Sequence, residues 1–205
     1  MARIYVASLS DYNNGHLHGA WIDLDGLDEI EVQDEINGIL RTSRYPNVEY
    51  TCANCQGGYV HLNGGLMATC HICNGRGTYP SAEEWEVHDY DELPPSFGPH
   101  PSIAELVEYV EKVDTHGDVW AAYVEHCDDI GADPSERHFE DCRAGEADSE
   151  REWVESFLED AGTLNSIPEN LRSYFNTEAY LRDMKLNGDV DFVGYAGTVY
   201  AFWRH

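Results

Sequence analysis

Positive charge is what this sequence has least of. Its 205 residues carry 12 Lys and Arg against 39 Asp and Glu, a formal net charge of −27 at pH 7. Neutralising a phosphate backbone takes a set of Lys and Arg contacts, so direct binding to nucleic acid is not expected. Long apolar runs are missing as well. None approaches the roughly 20 residues that a bilayer span needs, and MARIYVASLSDYNNG turns polar too early for a signal peptide. A soluble protein of the bacterial cytoplasm, without membrane contact, is the expectation. The chain has no H-E-x-x-H, no G-x-S-x-G, no Walker A sequence and no G-x-G-x-x-G after a strand, so no enzyme is expected. Six cysteines are too few for a dense disulfide framework. The most local absence is of acid: residues 52–80 contain no Asp or Glu and one Arg, while 81–205 contain 30 acids and 8 bases.

What is present is enough to fold. Hydrophobic residues make up 42% and aromatics 12%, with 13 Tyr and 5 Trp, which is not the composition of a disordered acidic polymer. A single-sign field of this size steers association toward a partner of opposite charge. A basic protein surface, such as one that itself binds DNA, is the physical complement. Acidity kept only for solubility, or for a salty cytoplasm, is the plainer alternative.

Periodicity divides the chain into αβ, helical and αβ stretches. Arg3 to Leu9 reads as a strand, Asp11 to Gly15 as a hairpin turn on its Asn-Gly, and Leu17 to Leu24 as the return strand. Asp28 to Leu40 reads as a helix with Ile30, Ile36, Ile39 and Leu40 near one face. Trp85, Val87 and Asp89 alternate as in a third strand. LPPSFGPHPS, 93–102, has four prolines in ten residues and is the best linker. Ser102 and Glu105 form a capping-box pattern for a helix with Ile103, Leu106, Val107 and Val110 inward. A second helix covers Asp118 to Asp129, and a short helical piece starts at Pro134. Arg143 to Asp148 is a second candidate boundary. Ser149 opens a helix whose stripe is Trp153, Val154, Phe157 and Leu158. A helix around Glu178 to Met184 and strands at Val190–Val193 and Thr198–Trp203 close the chain. The expected fold class is α+β in three small domains. These are 1–95 with an insertion at 48–82, an acidic helical domain at 96–145, and a C-terminal αβ domain at 146–205.

The insertion carries the clearest motif. Cys52-x-x-Cys55, fourteen residues, then Cys70-x-x-Cys73 sets two thiolates on each of two tight turns, which together close a tetrahedron around one zinc. Its second half, CHICNGRG, has the form C-x-x-C-x-G-x-G and resembles the cysteine-rich zinc modules of DnaJ co-chaperones; CANCQGGY matches through Gly57. Four cysteines leave no open coordination position, so one structural zinc ion is expected. Free or redox-active thiols are the alternative, and His61 and His71 are spare candidates. Cys127 and Cys142 lie too far apart for a knuckle and read as core thiols. Glu125-His126-Cys127-Asp128 looks chemical, but neighbours on a helix point in different directions.

Helical rows of Glu repeat every turn, about 5.4 Å, near the spacing of phosphates along one DNA strand, about 3.4 Å. Each row, taken alone, is equally well a solvated helix face.

IYVASLSDYNNGHLHGAWIDL (4–24), EEWEVHDYDELP (83–94) and IPENLRSYFNTEAYLRDMKLNGDVDFV (167–193) together resemble the ArdA antirestriction family. Residues 95–150 resemble it mainly in helical, acidic character, and 48–82 stand out as an insertion. The resemblance implies an elongated, curved homodimer of three small domains whose acidic surface mimics bent B-form DNA. Such a protein occupies the DNA-binding groove of type I restriction-modification enzymes, on the methyltransferase core, and protects incoming mobile-element DNA. On that reading the mimic carboxylates are expected among Glu105, Glu108, Glu111, Asp128, Asp129, Glu152, Glu155, Glu159, Asp160, Glu178, Asp183, Asp189 and Asp191. The competing function is a zinc-dependent acidic chaperone or protein-interaction adaptor, and a metal hydrolase is a third.

Overall fold

The computed structural model describes residues 2–62, 65–94 and 97–204. Within them the chain is a mixed α/β protein with short antiparallel sheets, and it separates into two compact units, Met1–Glu111 and Lys112–His205. The 95/96 boundary expected from the proline-rich stretch lies outside the described residues.

In the first unit, strand β1 (Arg3–Ser8) is central. It pairs antiparallel with β2 (Gly19–Asp23) on one side and β7 (Trp85–Asp91) on the other. The expected tight hairpin between the first two strands is instead a short helix, α1 (Leu9–Asn13), followed by the Asn14-Gly15 turn. The reason is local. Ser8 caps the helix by accepting from the Asp11 amide, and the buried Asp11 carboxylate accepts from the Ser8 and Ser43 hydroxyls and the Arg44 amide. Those bonds tie the turn to the chain beyond helix α2 (Glu29–Arg41).

Helix α2 opens on a complete capping box, Asp28 with Glu31. It packs Val32, Ile36 and Leu40 against Ile4, Val6 and Ile22 of the sheet. The expected face is corrected here. The buried stripe steps by four from Val32, whereas Ile30 sits in the first turn and is exposed. In β7, Trp85 and Val87 follow the expected alternation, but a register shift between Tyr5 and Val6 moves Asp89 to the exposed side. One extra residue in a strand reverses the facing of everything after it.

Between α2 and β7 lies the cysteine block. Strands β3 (Val48–Thr51) and β6 (Thr78–Ser81) pair as its base, and a hairpin of β4 (Tyr59–His61) and β5 (Met67–Thr69) projects from it. Helix α3 (Ile103–His116) buries Leu106, Val107, Tyr109 and Val110. Its first turn follows the expected cap, with the Glu105 amide donating to Ser102 Oγ.

The second unit is built on β8 (Arg143–Ala147), β9 (Val190–Tyr195) and β10 (Thr198–Trp203), with β10 in the middle. The two last strands meet through Ala196 and Gly197, both at positive φ, as a two-residue primed turn requires. Helices α4 (Asp118–Ile130) and α5 (Glu136–Cys142) pack against this same sheet through Trp120, Tyr123, Phe139 and Phe202. On its other elements, α6 (Glu150–Asp160), capped by Ser149, and α9 (Thr177–Asn187) bury Trp153, Val154, Leu158 and Met184 with Val190 and Ala201. Short helices α7 (Thr163–Ser166) and α8 (Glu169–Arg172) link them. The Arg143 to Asp148 stretch, a candidate boundary by composition, is therefore mostly strand. Small residues suit it, since a Cβ at Gly145 would lie 3.2 Å from Trp153 Nε1, and that indole donates to the Ala144 carbonyl.

Candidate metal centre and acidic faces

Each cysteine pair sits on a tight turn that only small residues can make. Gly57, Gly58, Asn74, Gly75 and Gly77 all have positive φ, and two of them decide the packing. A Cβ at Gly58 would fall 2.2 Å from the Gly75 carbonyl oxygen, so the two knuckles touch through bare backbone. The turns also hold one another: the Cys52 amide donates to the Gly77 carbonyl and the Cys70 amide to the Gly58 carbonyl.

These bonds bring Cys52, Cys55, Cys70 and Cys73 together, with all four sulfurs within 4.8 Å of one another. Cys52 and Cys70 Sγ are 3.8 Å apart, and Cys55 and Cys73 Sγ are 3.6 Å apart. A tetrahedral zinc with Zn–S bonds of about 2.3 Å sets its ligand sulfurs about 3.8 Å apart. The four thiols thus fit a closed metal site, and they could hold one ion. Burial pushes the Cys55 thiol up, to about 12 with Cys73 beside it. Burial acts upward on Cys73 as well, but the Gly77 amide, 3.3 Å from its sulfur, and the neighbouring thiols outweigh this and bring it down to about 7. One thiolate is therefore favoured before any ion arrives, and the peptide N–H is the outer contact a metal-bound sulfur uses. The spare histidines, His61 and His71, are exposed and stand outside the cluster.

The other two cysteines are core thiols, as their spacing implied. Cys127 and Cys142 are buried, and burial raises Cys142 to about 11. Along Glu125 to Asp128, the outer two residues are exposed and the inner two buried. Sequence reasoning passed over His126. It is buried in the second unit, stacks on Phe202, and lies 3.6 Å from Asp191 through Nδ1, with Nε2 unpartnered.

The carboxylates divide by environment. Glu105, Glu108 and Glu111 are exposed on α3, and Asp128 and Asp129 are exposed in the last turn of α4. Glu152, Glu159 and Asp160 are exposed on α6, Glu178 and Asp183 on α9, and Asp189 just beyond it. Others are compensated. Arg151 pairs with Glu155 at 2.9 Å and with Glu178 at 3.6 Å, and Arg182 lies 3.0 Å from Asp183. Asp191 is half-buried between His126 and Arg204, 3.3 Å from the latter. Two helices end on acids where the macrodipole disfavours them: neither α4, with Asp128 and Asp129, nor α6, with Glu159 and Asp160, has a base in its last turn.

A metal-stapled, strongly acidic α/β protein is the class these features define. The chain belongs to the ArdA antirestriction family: the family model described as Antirestriction protein (ArdA) matches residues 4–198. Comparison with curated proteins gave no match. Among the described residues no helix is long and apolar enough to cross a membrane.

Proposed function

We propose that this protein inhibits type I restriction-modification enzymes by presenting a folded array of carboxylates to the basic groove that normally receives DNA. The family supports the antirestriction role. The observation that carries the mimicry is the placement of acid where it costs stability. Uncompensated Asp and Glu at the C-terminal ends of α4 and α6 oppose each helix dipole by about 0.3–1 kcal/mol apiece, which is expected of charge kept for a partner rather than for the fold. Glu152 and Glu159 add a row two turns long, about 10 Å at 1.5 Å per residue. Because such charges are fixed by helices, the inhibitor loses less freedom on binding than flexible DNA does.

On this reading the protein has no catalytic role and acts by competition as a homodimer. Its surface is drawn from the segments 1–95, 96–145 and 146–205. Cys52, Cys55, Cys70 and Cys73 hold one structural zinc, which supplies folding energy to a module with little apolar core of its own. The test is plating of unmodified phage on a restricting host that expresses the protein. Efficiency of plating should rise toward that on a non-restricting host. An adaptor or chaperone role would instead appear as suppressed aggregation of a client with no change in plating.

A further inference from the structure

The outer face of the β4–β5 hairpin has no role in the module's own core. Val60 packs against the sulfurs with Ile72 and Tyr79, and neighbours along a strand point the opposite way. Tyr59, Leu62, Leu66 and Met67 are left 46%, 51%, 67% and 57% exposed. The Leu62 amide donates to the Leu66 carbonyl at 2.8 Å and holds the two leucines side by side. Four large apolar side chains thus stand out from a block, 52–80, that has no acid in a chain with 39.

We propose that this hairpin docks on an uncharged apolar patch beside the basic groove of the same protein that the acidic helices occupy. The inference rests on the antirestriction reading above. Charge selects that occupant. A basic groove gives no complement to an acid-free surface, so the hairpin belongs outside it. Nucleic acid is a poor match, because Arg76 is the one Lys or Arg in the block and phosphate contacts need several. A second copy is disfavoured at this face. Four side chains fall far short of the roughly 800 Å² per partner of a stable interface, and each copy brings a charge of −27. The same smallness means that the patch acts beside a larger contact, and the acidic faces offer that contact to a basic protein. The sulfur cluster fixes the hairpin in advance, so little ordering is lost on docking.

The experiment compares the full chain with Leu62→Ser/Leu66→Ser/Met67→Ser for binding to a purified type I methyltransferase across a salt series. The variant should bind about 30-fold more weakly at every salt concentration, as loss of a small hot-spot cluster does. Its log–log salt slope should be unchanged, because the slope counts charges. Glu152→Gln/Glu159→Gln should do the reverse and flatten the slope. Leu66→Ser alone, at the most exposed position, carries the same test with about fivefold loss should the triple variant lose its metal. Equal affinity of wild type and variant at all salts overturns the docking face and leaves the inhibitor reading intact. No binding by the wild type overturns the reading itself, and the inference with it. A variant that sediments as a smaller species, or a wild type whose duplex-DNA binding the variant loses, would assign the face to a second copy or to nucleic acid and overturn the inference.

Discussion

At the scale of single residues, three positions set sharp expectations. Gly58 combines a φ of +97° with a would-be Cβ 2.2 Å from the Gly75 oxygen. Gly58→Ala must therefore part the knuckles, and metal content measured after dialysis against a weak chelator should fall well below one per chain. Cys70→Ser/Cys73→Ser removes half the ligands and should abolish metal binding while the second unit, which shares no core residue with the module, stays folded. Asp11 is the main polar anchor of the first unit. Its burial acts to raise the carboxyl, but bonds from Ser43, Ser8 and the Arg44 amide overcome this and hold it below the ordinary range. A lowered folded-state value stabilises the fold above the unfolded value and is lost as pH falls through the folded one. Asp11→Ala, leaving Ser8, Ser43 and the amide unpaired, should cost about 2 kcal/mol at neutral pH, read as a shift in urea midpoint. His126 works in the opposite direction. Burial pushes its imidazole below the usual value against the pull of Asp191, so the unfolded chain takes the proton first as pH drops. The second unit should therefore lose stability below about pH 6.5 until the folded-state value is reached. His126→Gln should flatten that part of the pH–stability curve.

At the scale of elements, the helix ends carry a prediction that joins stability to function. Replacing Asp160 by Lys puts a cation at the C-terminus of α6 and should stabilise the second unit by about 0.5–1 kcal/mol, while weakening inhibition. A variant that folds better and inhibits worse is what a surface shaped for a partner yields. Much of this layer was legible in the sequence. Ser149 and the Trp153, Val154, Leu158 stripe announced α6, and the Tyr195 to Thr198 stretch announced the final hairpin. The misses have local causes. Asn14-Gly15 does make its turn, but Ser8 and Asp11 insert a helical turn first, and only the long-range bonds from Ser43 and Arg44 make that preferable. The α2 face was misread because Ile30 is apolar but lies in the first turn after the Asp28 cap. Strand β8 went unseen because Arg-Ala-Gly-Glu-Ala carries no alternation, and its place is set by Trp153 and pairing to β10. The metal site was the most legible feature, since two C-x-x-C turns need little beyond their glycines to converge. The pairing of Glu155 and Glu178 through Arg151 needed the packing of α6 on α9, which no pattern in either segment records.

At the scale of the whole molecule, the governing quantity is the charge of −27. It opposes the compact state by self-repulsion, so added salt should raise the melting temperature. The same salt should loosen the complex with a basic partner, because exposed multi-charge contacts are screened within about 8 Å at physiological ionic strength. Opposite salt effects on folding and on binding are a signature that a neutral adaptor would lack. The account's central claim is competition for a DNA groove, and its most direct measurement is displacement of labelled duplex DNA from a purified type I methyltransferase. Displacement should be complete, with an inhibition constant that weakens steeply with salt and with no binding of the labelled DNA by the inhibitor alone. Undiminished DNA binding by the methyltransferase in the presence of excess inhibitor, or DNA captured by the inhibitor itself, would contradict it.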